Sequence, residues 1–462
     1  MAGLTPQLEP LALPSVNTSG LKAPSISISA IVSDAGALYV LQAATYLFPV
    51  ITLSYLARLL GPKGLGLVAF GQGIGGYLIV LIEYGFHLTL TRQVARNRSN
   101  PAVRSDLLAA VWAAKALLSV AALPVLAGFV LFGRGCTIGL ALAILAWSVA
   151  QSFNLVWYLH GTEQVRLGSM LDLGGKVLTL IGILATVKGP RQILLVFVWQ
   201  TVGSLATLAI SIPVAYQGNR AILPSVSRVR QVLRLGWPMF VQRASSQVYP
   251  SGNAVVLGVL STTLAVGLFS GPDRIIRGAV SILNPVLYAA YPRVSRVAQV
   301  SPPLAATIAS LTILASAAVG AATSIGIYSF SATLVRLTLG NGFEGAIPIM
   351  RLLALIPFLR SLTMAVSLQW MIPFGFEREF ACVSGAASTV GIALAAICAS
   401  SWGALGAAAI SVSVEALTLP AQLLALQRQQ FNPAKALWSE ETRHGIAGGL
   451  HLLASKFQRH SL

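Results

Sequence analysis

The chain has 462 residues, of which 55% are hydrophobic and only 10% are charged. A water-exposed domain of this size carries about 25% charged residues, so the apolar excess must face lipid, and fibrous and disordered classes fall to the same numbers. The formal net charge of +18 would point to nucleic acid in a soluble protein, but here basic residues lie between apolar runs, which the positive-inside rule explains, and no nucleic-acid partner is expected.

Residues 1–34 are rich in Ser, Pro, Leu and Ala and poor in charge. They lack the basic start, short apolar stretch and cleavage site of a signal peptide, so they are expected to form a flexible cytoplasmic tail. Apolar runs then follow at 36–58, 66–87, 107–131, 138–159, 167–187 and 192–215. A basic linker is expected at 217–234. Further runs lie at 235–260, 263–291, 304–328, 346–371, 380–399 and 402–426. A helical span needs about 20 apolar residues, because backbone polar groups must be satisfied internally in lipid. The sequence therefore predicts an all-α polytopic membrane protein with about twelve transmembrane helices, in bundles at 35–216 and 235–426. The tail 427–462 is basic, and Ile446, Leu450, Leu453 and Phe457 recur at helical spacing. It fits either an interfacial amphipathic helix or, with Gly445, Gly448 and Gly449 in it, a frayed end.

With the N-terminus in the cytoplasm, 18 Lys and Arg fall in cytoplasmic segments and 6 outside, the rest lying within spans. Both termini are thus expected on the inner side of the membrane. An internal repeat supports two halves. Leu59-Leu-Gly-Pro-Lys-Gly-Leu-Gly-Leu-Val-Ala-Phe70 and Leu257-Gly-Val-Leu-Ser-Thr-Thr-Leu-Ala-Val-Gly-Leu-Phe-Ser270 are both short outer turns that enter a helix through a Gly-Leu pair and a Phe. Two six-helix halves in one orientation are a transporter architecture.

No catalytic or metal constellation appears, and no cofactor is expected. His87, His160, His444, His451 and His460 are scattered, and HExxH, P-loop and GxSxG patterns are missing. Cys136, Cys382 and Cys398 have no metal spacing and are expected to be small apolar fillers. The informative residues are the charges inside spans: Lys115, Lys176, Arg243, Arg274, Arg277, Arg351 and Arg360. An ionised side chain at the bilayer centre costs roughly 2.5–3.5 kcal/mol on insertion scales, so these should face a watery cavity or each other. The acids nearby are fewer: Glu83, Asp172, Asp273, Glu377, Glu379 and Glu415. The cavity would be net positive and suited to an anion. Arg351 also fits snorkelling to the outer edge. Asp273–Arg277 and Asp172–Lys176 also fit structural pairs at helical spacing. Glu415 lacks a sequence-local partner and is, with Asp172 and Asp273, a candidate for ion coupling. The seventh run is expected to be interrupted, by Gly236-Trp-Pro238 at its start and Tyr249-Pro250-Ser-Gly252 near its middle. Those breaks make a candidate hinge.

The stretches Arg58 to Phe70, Glu83-Tyr-Gly-Phe86 and Thr91-Arg-Gln-Val-Ala-Arg96 resemble the N-terminal signature of bacterial polysaccharide-biosynthesis flippases of the Wzx type. Trp157-Tyr-Leu-His-Gly-Thr-Glu163, Gly236-Trp-Pro-Met-Phe240, Tyr291-Pro-Arg-Val-Ser295 and Leu339-Gly-Asn-Gly-Phe-Glu344 resemble later segments, in family order. The resemblance implies the multidrug/oligosaccharidyl-lipid/polysaccharide exporter fold, two six-helix bundles forming a V with alternating access. It also implies an undecaprenyl-pyrophosphate-linked oligosaccharide as substrate, the prenyl tail staying in the bilayer. A polysaccharide polymerase and a chain-length regulator are implied partners. The cationic cavity agrees, since Arg and Lys pair well with phosphate oxygens. Competing readings are a lipid II flippase, an ion-coupled drug antiporter of the same fold, and a membrane enzyme. The antiporter should show acids in the N-terminal cavity, where this chain has Lys115 and Lys176. The enzyme should carry a large outer loop with His, and 329–345 has none.

Overall fold

The computed structural model describes residues 28–132, 137–281 and 284–429. Residues 1–27, Arg134, Cys136 and the amphipathic pattern at 446–457 lie outside the described residues. Helices cover all twelve apolar runs. The first, α1 (Ile28–Glu83), holds two of them and bends between them at Gly61, whose φ of +65° is a conformation that glycine enters freely. After Tyr84 and Gly85, both with positive φ, the chain resumes as α2 (Phe86–Arg96). Then come α3 (Pro101–Phe132), α4 (Ile138–Ser152), the short α5 (Val156–Gly161), α6 (Val165–Thr186) and α7 (Ile193–Tyr216). The second half holds α8 (Val226–Leu260), α9 (Thr263–Ser281), α10 (Asn284–Ala298), α11 (Pro302–Ser329), α12 (Ser331–Thr338), α13 (Ala346–Leu353) and α14 (Ile356–Ala365). A π turn at Val366–Met371 follows, and α15 (Glu377–Arg428) carries the last two runs, bent at Gly403.

Among the described residues, nine helical stretches are long and apolar enough to cross a membrane by length and composition. The two runs that bend at Gly61 count there as one stretch. Helices α8 and α9 lie outside that set because charged residues cluster in them, and α10, with 15 residues, is too short for it.

Three expectations are corrected. Helix begins at Ile28, inside the expected tail at 1–34. The linker 217–234 is helical from Val226, because Ser225 caps that helix by accepting a hydrogen bond from the Arg228 amide at 3.3 Å. Arg228 also pairs with Asp106 of α3 at 2.6 Å, and Val232 is buried among Leu107, Leu108 and Val111. Finally, α8 is one uninterrupted helix through Gly236, Pro238, Pro250 and Gly252. A proline removes one rung of the backbone ladder. Here α8 keeps its course because α3 holds its first turns, while α1 and α15 hold the rest. Gly236 is a point of contact and not a break: a Cβ there would meet Phe86 and the Tyr84 carbonyl at 2.9 Å.

Lipid removes the hydrophobic drive between helices, so close packing through small residues holds them together. The two halves meet in this way. A Cβ on Gly66 of α1 would lie 1.8 Å from the Thr263 carbonyl oxygen of α9. A Cβ on Gly267 would lie 1.8 Å from the Pro62 carbonyl oxygen. The contact is reciprocal, and it joins the two copies of the sequence repeat. At the other end of the interface Gly85 presses on the Met239 backbone of α8, and Tyr84 stacks on Phe240 with ring centroids 4.6 Å apart.

Candidate functional site

Between these two contacts lies a cavity of about 710 Å³, within the usual range of ligand pockets. Helices α1, α4, α6 and α7 form one wall, and α8 and α9 the other. The α8–α9 wall brings Arg243, Arg274 and Arg277 to the cavity, and α6 adds Lys176. Two carboxylates, Glu83 and Asp172, also line it, so cations outnumber acids two to one.

Each cation is held by a partner of identifiable origin. Asp172 and Lys176 stand one turn apart on α6 and pair at 2.7 Å, with side chains a third to two-fifths exposed. Asp273 and Arg277 do the same on α9 at 2.8 Å. Their neighbour Arg274 donates instead across the interface to Gln72 of α1. Arg243 of α8 pairs with Glu83 at the end of α1 at 2.5 Å. Two of these contacts therefore tie one half to the other. A guanidinium that already spends some donors on a neutral amide keeps the remainder, and its full charge, for a ligand.

The other sequence candidates lie elsewhere. Lys115 does not line the cavity. It is 3% exposed in α3, donates to the Ser152 carbonyl at the end of α4, and lies 5.9 Å from the centre of the Trp157 ring. A carbonyl at a helix C-terminus and an aromatic face are both good partners for an ammonium. Arg360 is also remote from the cavity lining: it pairs at 2.7 Å with Glu415, between α14 and α15. Glu415 accepts a second bond from Thr363 at 3.4 Å, so the partner that the local sequence could not supply comes from another helix. Arg351 donates to Ser331 at 3.2 Å and is exposed. Of the four residues expected to act as a hinge, Gly252 packs on the Tyr77 hydroxyl and Ile392.

The sequence reading missed the uncharged lining. Gln72, Trp147, Gln151, Asn154 and Gln200 all face the cavity. A signal existed: 147 and 151 on α4 with 154 just beyond its end, and 200, 204 and 207 on α7, recur at helical spacing in otherwise apolar runs.

The comparisons with known proteins agree with this architecture. A protein from Escherichia coli (strain K12), provisionally named an O-antigen transporter, is 25% identical over 396 residues, covering 84% of this chain and 94% of its own. A similarly named protein from Shigella dysenteriae is 24% identical over 351 residues, covering 74% and 86%. Among solved structures, the lipid II flippase MurJ in an inward closed conformation matches with a TM-score of 0.69 at 12% identity, over 88% of this chain and 91% of that one. An inward-facing multidrug resistance transporter of the MATE family in the MOP superfamily matches with a TM-score of 0.63 at 14% identity, over 85% and 96%. Both likenesses establish the fold. The model of the polysaccharide biosynthesis protein family matches residues 31–298, more than half of the chain. The protein belongs to that family, and its fold is that of these membrane transporters.

Proposed function

We propose that the protein carries undecaprenyl-pyrophosphate-linked oligosaccharide repeat units from the cytoplasmic to the periplasmic leaflet, for O-antigen, capsule or exopolysaccharide synthesis. The observation that carries this reading is the row of arginines on the α8–α9 wall of the central cavity, in a chain of the polysaccharide biosynthesis family. A diphosphate carries negative charge on oxygens that pair well with guanidinium. In a cavity screened from bulk water that attraction is stronger than at a surface. The saccharide would enter with the diphosphate while the prenyl chain stays in lipid. Movement follows by alternating access, the halves rocking about the Gly66–Gly267 contact so that the cavity opens first to one face and then to the other. Cytoplasmic termini follow from the charge bias of the loops, and a polysaccharide polymerase with its chain-length regulator would receive the product.

Complementation tests the proposal. In a strain lacking its own repeat-unit flippase, the full chain is expected to restore surface polysaccharide. Arg274→Ala and Arg277→Ala, at matched membrane levels, should each lower it by about tenfold or more, the worth of one charge-assisted hydrogen bond. Drug resistance gained in place of polysaccharide would overturn the assignment.

A further inference from the structure

The two walls of the cavity differ in kind. The α8–α9 wall is cationic. The facing wall on α4, α6 and α7 presents Gln151, Asn154 and Gln200 with the hydroxyls of Thr179, Ser204 and Thr207, its one pair of charges being Asp172–Lys176. Polar side chains within membrane spans are costly and mark functional surfaces, and these are neutral.

The wall is also stiffly built. Helices α6 and α7 touch through Gly175 and Gly203, where an added Cβ on either would lie within 2.7 Å of the other's carbonyl oxygen. That approach lets Thr179 donate to the Trp199 carbonyl and Thr207 to the Leu171 carbonyl, both at 3.1 Å. The Ser204 hydroxyl lies 2.8 Å from both the Gln151 side-chain oxygen and the Gln200 backbone carbonyl, bringing α7 against α4. The hydroxyl protons are therefore spent inside the wall, and the oxygen lone pairs remain to accept. Gln151 meets that hydroxyl through its side-chain oxygen, and its NH2 group carries two further donors. Gln200 is complementary: its side-chain oxygen is buried and takes no hydrogen bond among the described residues. A buried, unmatched carbonyl costs about 1–3 kcal/mol, a cost that the amide sheds by turning toward the cavity, which Gln200 lines, to meet a ligand donor. Beside Gln151, one turn away on α4, Trp147 presents an aromatic ring to the cavity.

Fixed neutral donors and acceptors beside an aromatic face match a pyranose, whose hydroxyls both donate and accept and whose ring C–H face is apolar. They do not match a diphosphate, which would leave the Gln200 oxygen unsatisfied. We infer that the α4–α7 wall is the saccharide subsite of this cavity, with Gln151, Gln200 and Trp147 reading the headgroup while the α9 arginines hold the diphosphate. This rests on the function proposed above.

The test uses the full chain in detergent and two probes, undecaprenyl pyrophosphate alone and the same lipid bearing one N-acetylhexosamine. Native mass spectrometry gives both affinities, and their ratio isolates the sugar's contribution. The wild type is expected to prefer the sugar-bearing lipid by about tenfold, the worth of one or two hydrogen bonds. Gln200→Ala and Trp147→Leu should bring that ratio close to one while leaving affinity for the bare lipid unchanged, which also reports that the variants are folded. Arg274→Ala should weaken both lipids alike and keep the ratio. A ratio that survives both wall variants, or a wild type that does not distinguish the lipids while Arg274→Ala weakens both, would overturn the subsite and leave the flippase reading standing. A wild type that binds neither lipid would remove both.

Discussion

At the scale of single residues, partnership decides what a membrane-embedded charge can do. Lys115 is buried on a helix-terminal carbonyl and an aromatic ring, outside the cavity lining. Methionine has a similar length and needs no partner, so Lys115→Met is expected to leave surface polysaccharide unchanged in the complementation assay. The Glu83–Arg243 pair differs, because its members belong to different halves and line the cavity. Removing one member leaves the other charge without compensation. For a fully buried pair that costs about 3–5 kcal/mol; with Arg243 30% exposed, Arg243→Ala should cost about 1–3 kcal/mol. Thermal unfolding in detergent should show this loss, and Glu83→Gln with Arg243→Gln should recover part of it. The sequence shows which charges lie in spans, because any charge in an apolar run stands out. It does not show which carboxylate each cation meets, since Arg243 and Arg360 find theirs through contacts 160 and 55 residues away.

At the scale of helices, apolar runs were legible to within a few residues, because lipid imposes the same length on every span. Bends were not. Pro and Gly at 236–252 look like a broken helix in a local reading, yet α8 is continuous, while the bends occur at Gly61 and Gly403, where φ is positive. The difference is that Gly236 and Gly252 serve the approach of another element and Gly61 serves the backbone itself. The neutral wall was also hidden, since a Gln in an apolar run gives no direction until α4, α6 and α7 are assembled. Glycines at close contacts give the sharpest expectation here. Gly66→Ala would place a methyl on the Thr263 carbonyl, and relieving the clash requires a backbone shift costing about 1–3 kcal/mol or more. The melting temperature in detergent should fall, and Gly267→Ala should lower it to a similar extent. By contrast Gly278→Ala, with nothing near its Cβ, should leave it unchanged.

At the scale of the whole molecule, the two halves are joined by a single segment without helix, residues 217–225, but held together by much more. The ion pair at Arg243, the Arg274–Gln72 contact and both glycine contacts are all independent of that connection. The reciprocity of the Gly66 seam then has a consequence for ancestry. Gly66 and Gly267 are separated by the same number of residues as the carbonyls they touch, Pro62 and Thr263. A surface that meets its own counterpart with residue i on j and j on i is what a two-fold axis between identical subunits produces. The seam thus has the local two-fold geometry expected where two duplicated half-length units meet. Such a parentage should still be recoverable: residues 1–220 and 221–462 made as separate polypeptides are expected to co-purify and restore polysaccharide together, and neither should do so alone.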